Sequence, residues 1–146
     1  MSTNSQSTGT GIGVAGNAAA LAGRILLALI FILSGYGKLT GFAGTAAFMT
    51  SKGLPFAELL AALSIVVELG GGLAIVLGWK TREAAALIFL WMIPVTLIFH
   101  NPLGLDPALA KQQLIHLEKN LSIMGGMLYL FAFGPGDFRL NAKNLA

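Results

Sequence analysis

Four stretches of this chain are apolar nearly all the way round the helix, running from about Ala18 to Tyr36, Phe56 to Leu77, Ala84 to Phe99 and Leu114 to Phe133. At a rise of ~1.5 Å per residue, each is near the ~20 residues needed to cross a ~30 Å hydrocarbon core. A helix on the surface of a soluble domain keeps a polar face for water. These stretches keep almost none, so they read as membrane spans, and the predicted fold is an all-α, polytopic four-helix transmembrane bundle. The charge inventory agrees. Only 10% of the 146 residues are charged, against ~25% in an ordinary soluble domain, and that is too little to cover a globule in water.

The flanks fit the same reading. The second stretch closes on Gly78-Trp79-Lys80, an aromatic beside a basic residue as at a membrane boundary. The net charge of +3 comes from basic residues scattered at segment ends, a pattern that excludes a nucleic-acid-binding face and names the lipid bilayer as the partner. There are no cysteines, so disulfides, thiolate metal sites and thiol redox chemistry are ruled out for this chain. Residues 1–17 are Ser/Thr/Gly/Asn-rich without side-chain charge and read as a flexible tail, followed by a membrane domain over residues 18–140 and a short tail at 141–146. With no basic region before it, the first apolar stretch reads as a retained span and not a cleaved signal.

The connections are unequal. Residues 81–83 make a tight turn, whereas residues 39–55 and 103–113 are longer and lie at the opposite end. Within the first long connection Phe42, Ala46 and Met49 share a helical stripe, which suits either a short interfacial helix or an irregular loop. Four spans put both termini on one side. Arg24, Lys80, Arg82, Arg139 and Lys143 stand there, against Lys38, Lys52, Lys111 and Lys119 on the other. The positive-inside rule then favours both termini in the cytoplasm.

Ionisable residues inside the spans need a partner or a cavity, because each costs at least ~2.5–3.5 kcal/mol at membrane depth. Counting depth along the helices gathers Lys38, Glu68, His100, His116, Glu118, Lys119 and Asn120 in the outer half, and leaves Arg24 to snorkel to the inner headgroups. The expected arrangement pairs Glu68 with Lys119, supported by Asn120. Two readings account for it: a buried ion pair that fixes helix register, or a polar pocket open to the outer face that takes a small ligand or a quinone headgroup. His100 and His116 alone make no full ligand set, so no metal site is expected. Gly70, Gly71 and Gly72, with Gly125 and Gly126, are expected at close helix contacts, and Pro94 at a kink.

Gly23-Arg24 opening the first span, Ser34-Gly35-Tyr36-Gly37-Lys38-Leu39 closing it, Lys52-Gly53-Leu54-Pro55, Glu68-Leu69-Gly70-Gly71-Gly72 and Lys119-Asn120-Leu121 with Gly125-Gly126 together resemble the DoxX family of small bacterial membrane proteins. The resemblance covers Leu21 to Arg139. It implies a four-helix inner-membrane protein, with some relatives resembling membrane subunits of quinone-linked sulfur oxidation and others partners of oxidative-stress enzymes. It carries over no catalytic residues. The function that follows is a membrane subunit or anchor of a redox or oxidative-stress-related complex, with a redox-enzyme subunit or a second copy of the chain as partner. A small transporter or a structural membrane scaffold are the alternatives.

Overall fold

The structure, a computed structural model, describes residues 13–140; the terminal tails expected at 1–17 and 141–146 lie outside this range except for residues 13–17. The described residues form five helices and no strand. They are α1 (Val14–Thr40), α2 (Phe42–Ser51), α3 (Ala57–Leu77), α4 (Thr81–Phe99) and α5 (Pro107–Phe133). Helix α1 begins at Val14, so residues expected in the tail are its first turn. Helices α1, α3 and α4 are each long and apolar enough to cross a membrane. Helix α5 is as long as α1 but opens with a polar half, which keeps it short of that criterion.

Local chemistry sets the boundaries. Asp106 caps α5, its Oδ1 accepting from the backbone N–H groups of Ala108 and Leu109 at 3.1 and 3.2 Å, and Pro107 supplies the preset φ of a first helical residue. That cap starts the helix seven residues ahead of Leu114, where the fourth span is expected to begin. Between α3 and α4 the chain reverses at Gly78, whose φ of 72° is open to glycine at no steric cost. Its N–H bonds to Ile75 O and that of Trp79 to Ala74 O, the paired closure of a Schellman motif. Helix α4 continues through Pro94 to Phe99.

The core lies where α1, α3, α4 and α5 meet, around the fully buried Ala28, Ile75, Ile88 and Met127. Helix α2 adds a second, smaller core. Its Ala46 and Met49 are the buried residues of the stripe, and Met49 packs with Ala57 and Ala61 of α3. Large apolar side chains such as Leu26, Leu33, Leu90 and Leu97 are 61–71% exposed on the outside. In water such a surface would drive aggregation. In lipid it is the solvated face, and what holds helices together there is close packing and interhelical hydrogen bonding.

The closest packing is between α1 and α3. A Cβ on Gly35 would lie 2.7 Å from Leu69 N and 3.1 Å from Leu69 Cα, so the two backbones touch at this point. Gly72 lies under Ile32 and Ala28 O, Gly71 under Ile88 and Gly126 under Leu27, while Gly70 and Gly125 face open space. Gly35→Val is expected to destabilise the fold by about 1–3 kcal/mol, since backbone cannot move aside as a side chain can. Gly37→Ala, with nothing near its Cβ, should lie within about 1 kcal/mol of wild type or above it. Thermal unfolding in detergent micelles compares the two, and equal midpoints would show that the contact is not limiting.

Candidate functional site

Two pairs of polar residues meet across the α1–α3 contact. Ser34 and Lys38 are four apart on α1, as are Ser64 and Glu68 on α3, so each pair shares a helix face. Gly35 follows Ser34 and Leu69 follows Glu68, and their backbone contact brings the two faces together. Lys38 Nζ donates to Glu68 Oε2 at 2.6 Å and to Ser34 Oγ at 2.6 Å, and Ser64 Oγ donates to Glu68 Oε1 at 2.8 Å. Both carboxylate oxygens are therefore engaged. The Glu68 side chain is 8% exposed and that of Lys38 24%. Glu68 also sits in the middle of a π turn, Val66–Gly70, inside α3, where the wider hydrogen-bond ladder re-aims side chains; such turns are frequent at functional sites.

The expected partner of Glu68 was Lys119, and the structure replaces it with Lys38. The reason is the glycine contact, which commits the Glu68 face of α3 to α1. Lys119 is exposed and forms no ion pair among the described residues. Asn120 does not support Glu68 either. Its Nδ2 donates to Oγ1 of the buried Thr96 at 3.0 Å and so ties α5 to α4. Glu118 is not in the wall of the main cavity and lines a separate, shallow groove together with Lys119. The His100 and His116 rings stack with centroids 5.0 Å apart. His100 Nδ1 lies 3.0 Å from Gln113 Oε1, within hydrogen-bond distance.

Around the ion pair is a cavity of about 780 Å³ walled by all five helices, within the usual ~300–1,000 Å³ of small-molecule sites. Most of its wall is apolar, with Phe31 from α1, Met49 from α2, Leu60 from α3 and Met92 and Phe99 from α4. Into it also face Lys38, Glu68, Lys52, Lys119, Asn120 and the histidine pair. Trp91 lines the same space, and its buried Nε1 has no hydrogen-bond partner. A lone tryptophan in an apolar run signals core packing, so nothing in the sequence marked this donor.

At the opposite end Arg24 does not snorkel. It is 2% exposed and donates through Nη2 to the carbonyl of Phe138, with its Nη1 against the Gly78 turn. Residues 134–140 fold back over the ends of α1 and α3 to reach it. Leu140 N–H bonds to Leu77 O at 2.9 Å, Asn17 Nδ2 donates to Asp137 Oδ2 at 2.8 Å, and Asp137 N–H donates to Asn17 Oδ1 at 2.9 Å. The guanidinium stays inside because the returning segment covers it and offers a carbonyl at the C-terminal end of α3, where the helix dipole favours a cation.

The sequence model of the DoxX family matches residues 19–101. The chain is 35% identical over 123 residues to the inner membrane protein YphA of Escherichia coli K12, covering 84% of this chain and 88% of that protein. It is 37% identical over 121 residues to the inner membrane protein YqjF of the same organism, covering 83% and 88%. No solved structure matches.

Glu68→Gln and Lys38→Met should each destabilise the protein by about 2–4 kcal/mol, toward the low side for breaking a buried pair because Lys38 keeps some exposure. A double-mutant cycle in micelles should give a coupling of about 1–3 kcal/mol for this pair and additivity within about 0.5 kcal/mol for Glu68 with Lys119. The reverse result would restore Lys119 as the partner.

Proposed function

The chain belongs to the DoxX family, and from that premise we propose that it is a four-span inner-membrane protein whose cavity holds the polar headgroup of a small amphiphile. In this reading it serves as the membrane subunit of a redox or oxidative-stress-related complex. The observation that carries the proposal is the cavity of about 780 Å³, apolar in most of its wall but built around the Lys38–Glu68 pair. An apolar space with a few convergent polar groups suits a ligand with a lipid-soluble body and a hydrogen-bonding head, of which a quinone is one kind.

The fourth span is α5. Its polar half turns His116 and Asn120 toward α4, where they meet His100 and Thr96, and leaves Leu114, Ile115 and Leu121 on the outside. A helix whose polar side chains are used within the bundle can sit in lipid despite a modest mean hydropathy. In this reading the larger number of basic residues at the end that carries the termini favours a cytoplasmic position for both, and the cavity at the other end opens to the outer side. A through path for a solute is the weaker reading, because Arg24 and residues 134–140 close the other end.

Native mass spectrometry of the purified protein should show a stoichiometric amphiphile that is depleted in Val95→Trp, whose ring intrudes on the cavity. If wild type and variant are both empty, the ion pair is a register device and the ligand reading fails. A reporter fused after Ala146 should be active only in the cytoplasm. Activity confined to the other side would overturn the orientation.

A further inference from the structure

We propose that the headgroup taken by this cavity is anionic, a carboxylate or phosphate on an apolar chain. The inference rests on the ligand-site reading above and specifies its chemistry. Three lysines line the cavity, Lys38, Lys52 and Lys119, against one acidic residue, Glu68. At 2.6 Å the Glu68 carboxylate is already balanced by Lys38. That leaves Lys52, at the end of α2, and Lys119, on α5, with no carboxylate partner among the described residues. Lys52 finds only the face of Phe48, with Nζ 5.6 Å from the ring centroid.

One neutral group leans the same way. The Trp91 Nε1–H is a buried donor without an acceptor in the wall. The one glutamine carbonyl at the rim is engaged by His100. The cavity thus carries surplus positive charge and a surplus donor, while both oxygens of its only carboxylate are engaged. A ligand that brings negative charge and acceptor oxygens completes it. A neutral alcohol or amide of the same chain length satisfies the donor but neither ammonium, and charge-assisted hydrogen bonds are roughly twice as strong as neutral ones.

The two tryptophans make the test direct. Trp91 lines the cavity, whereas Trp79 lies in the turn at the other end of α3. The full chain carrying Trp79→Phe reports from the cavity alone, and Trp91→Phe reports from the opposite end. Both are placed in phosphatidylcholine nanodiscs at alkaline pH and titrated with dibrominated stearic acid or dibrominated stearyl alcohol, compared at equal mole fraction in the membrane. The acid should quench Trp91 saturably and about tenfold more tightly than the alcohol, the ratio expected when a charge-assisted bond replaces a neutral one. That preference should fall several-fold in Lys52→Gln and in Lys119→Gln, both exposed positions that tolerate the change.

Equal affinity for acid and alcohol, or a preference untouched by either lysine variant, overturns the anionic headgroup and leaves the cavity reading in place. Saturable quenching by neither probe, or equal quenching of Trp79 and Trp91, overturns both. Adding phosphatidylglycerol to the nanodisc separates the sources of a confirmed anion. Displacement of the acid assigns the site to a membrane lipid, and no displacement assigns it to a free acid.

Discussion

The contact of α1 with α3 at Gly35 and Leu69 is the constraint from which the rest of the site follows. In lipid there is no hydrophobic reward for bringing two apolar helices together, so contact has to come from shape and from polar pairing. Gly35 supplies the shape by letting the Leu69 backbone into van der Waals range. The polar pairing follows at once, because Ser34 and Lys38 on one helix and Glu68 on the other lie within a turn of that contact, with Ser64 one turn before Glu68. A buried ion pair costs desolvation that only good geometry repays. Here the hydroxyls of Ser34 and Ser64 complete the geometry. Packing and electrostatics thus fix the same register.

From that fixed pair the two ends of the bundle diverge. On one side α2 packs on α3 through Met49, Ala57 and Ala61 and becomes a wall of the cavity that holds Lys38 and Glu68. On the other side Arg24 is sealed under residues 134–140. The chemistry is one-sided for that reason. The polar groups at the cavity are only partly enclosed and can meet a ligand, while those around Arg24, Asn17 and Asp137 are used in holding the chain to itself.

The candidate site was partly legible in the sequence. Glu68, Lys38, His100, His116, Lys119 and Asn120 were all gathered to one end by depth along the spans, and the structure lines one cavity with them. What depth could not supply was partnership. Lys119 and Lys38 both reach the level of Glu68, and choosing between them needs the rotation of each helix about its axis. In an amphipathic helix that rotation is written in the hydrophobic pattern. These helices are apolar nearly all round, so the pattern is silent, and a single close glycine contact decides. Arg24 was misplaced for a related reason, since snorkelling is the default for a basic residue near a span end and only the returning C-terminal segment makes burial cheaper. Trp91 left no signal because its ring belongs to the apolar pattern and its N–H does not show in it.

By itself the sequence determined that this is a helical membrane protein of the DoxX family, where its long apolar segments run, and which end collects the ionisable residues. Those properties depend on composition, length and order along the chain, which one dimension records in full. The tertiary structure alone decided that Lys38 holds Glu68, that Asn120 ties α5 to α4 through Thr96, that α2 turns Ala46 and Met49 inward, and that Arg24 is enclosed. Each of those depends on which faces of two helices meet. In an apolar solvent that choice is made by a few short contacts, small in number and distant in sequence, and not by the bulk hydrophobic pattern that a reader of the chain can see.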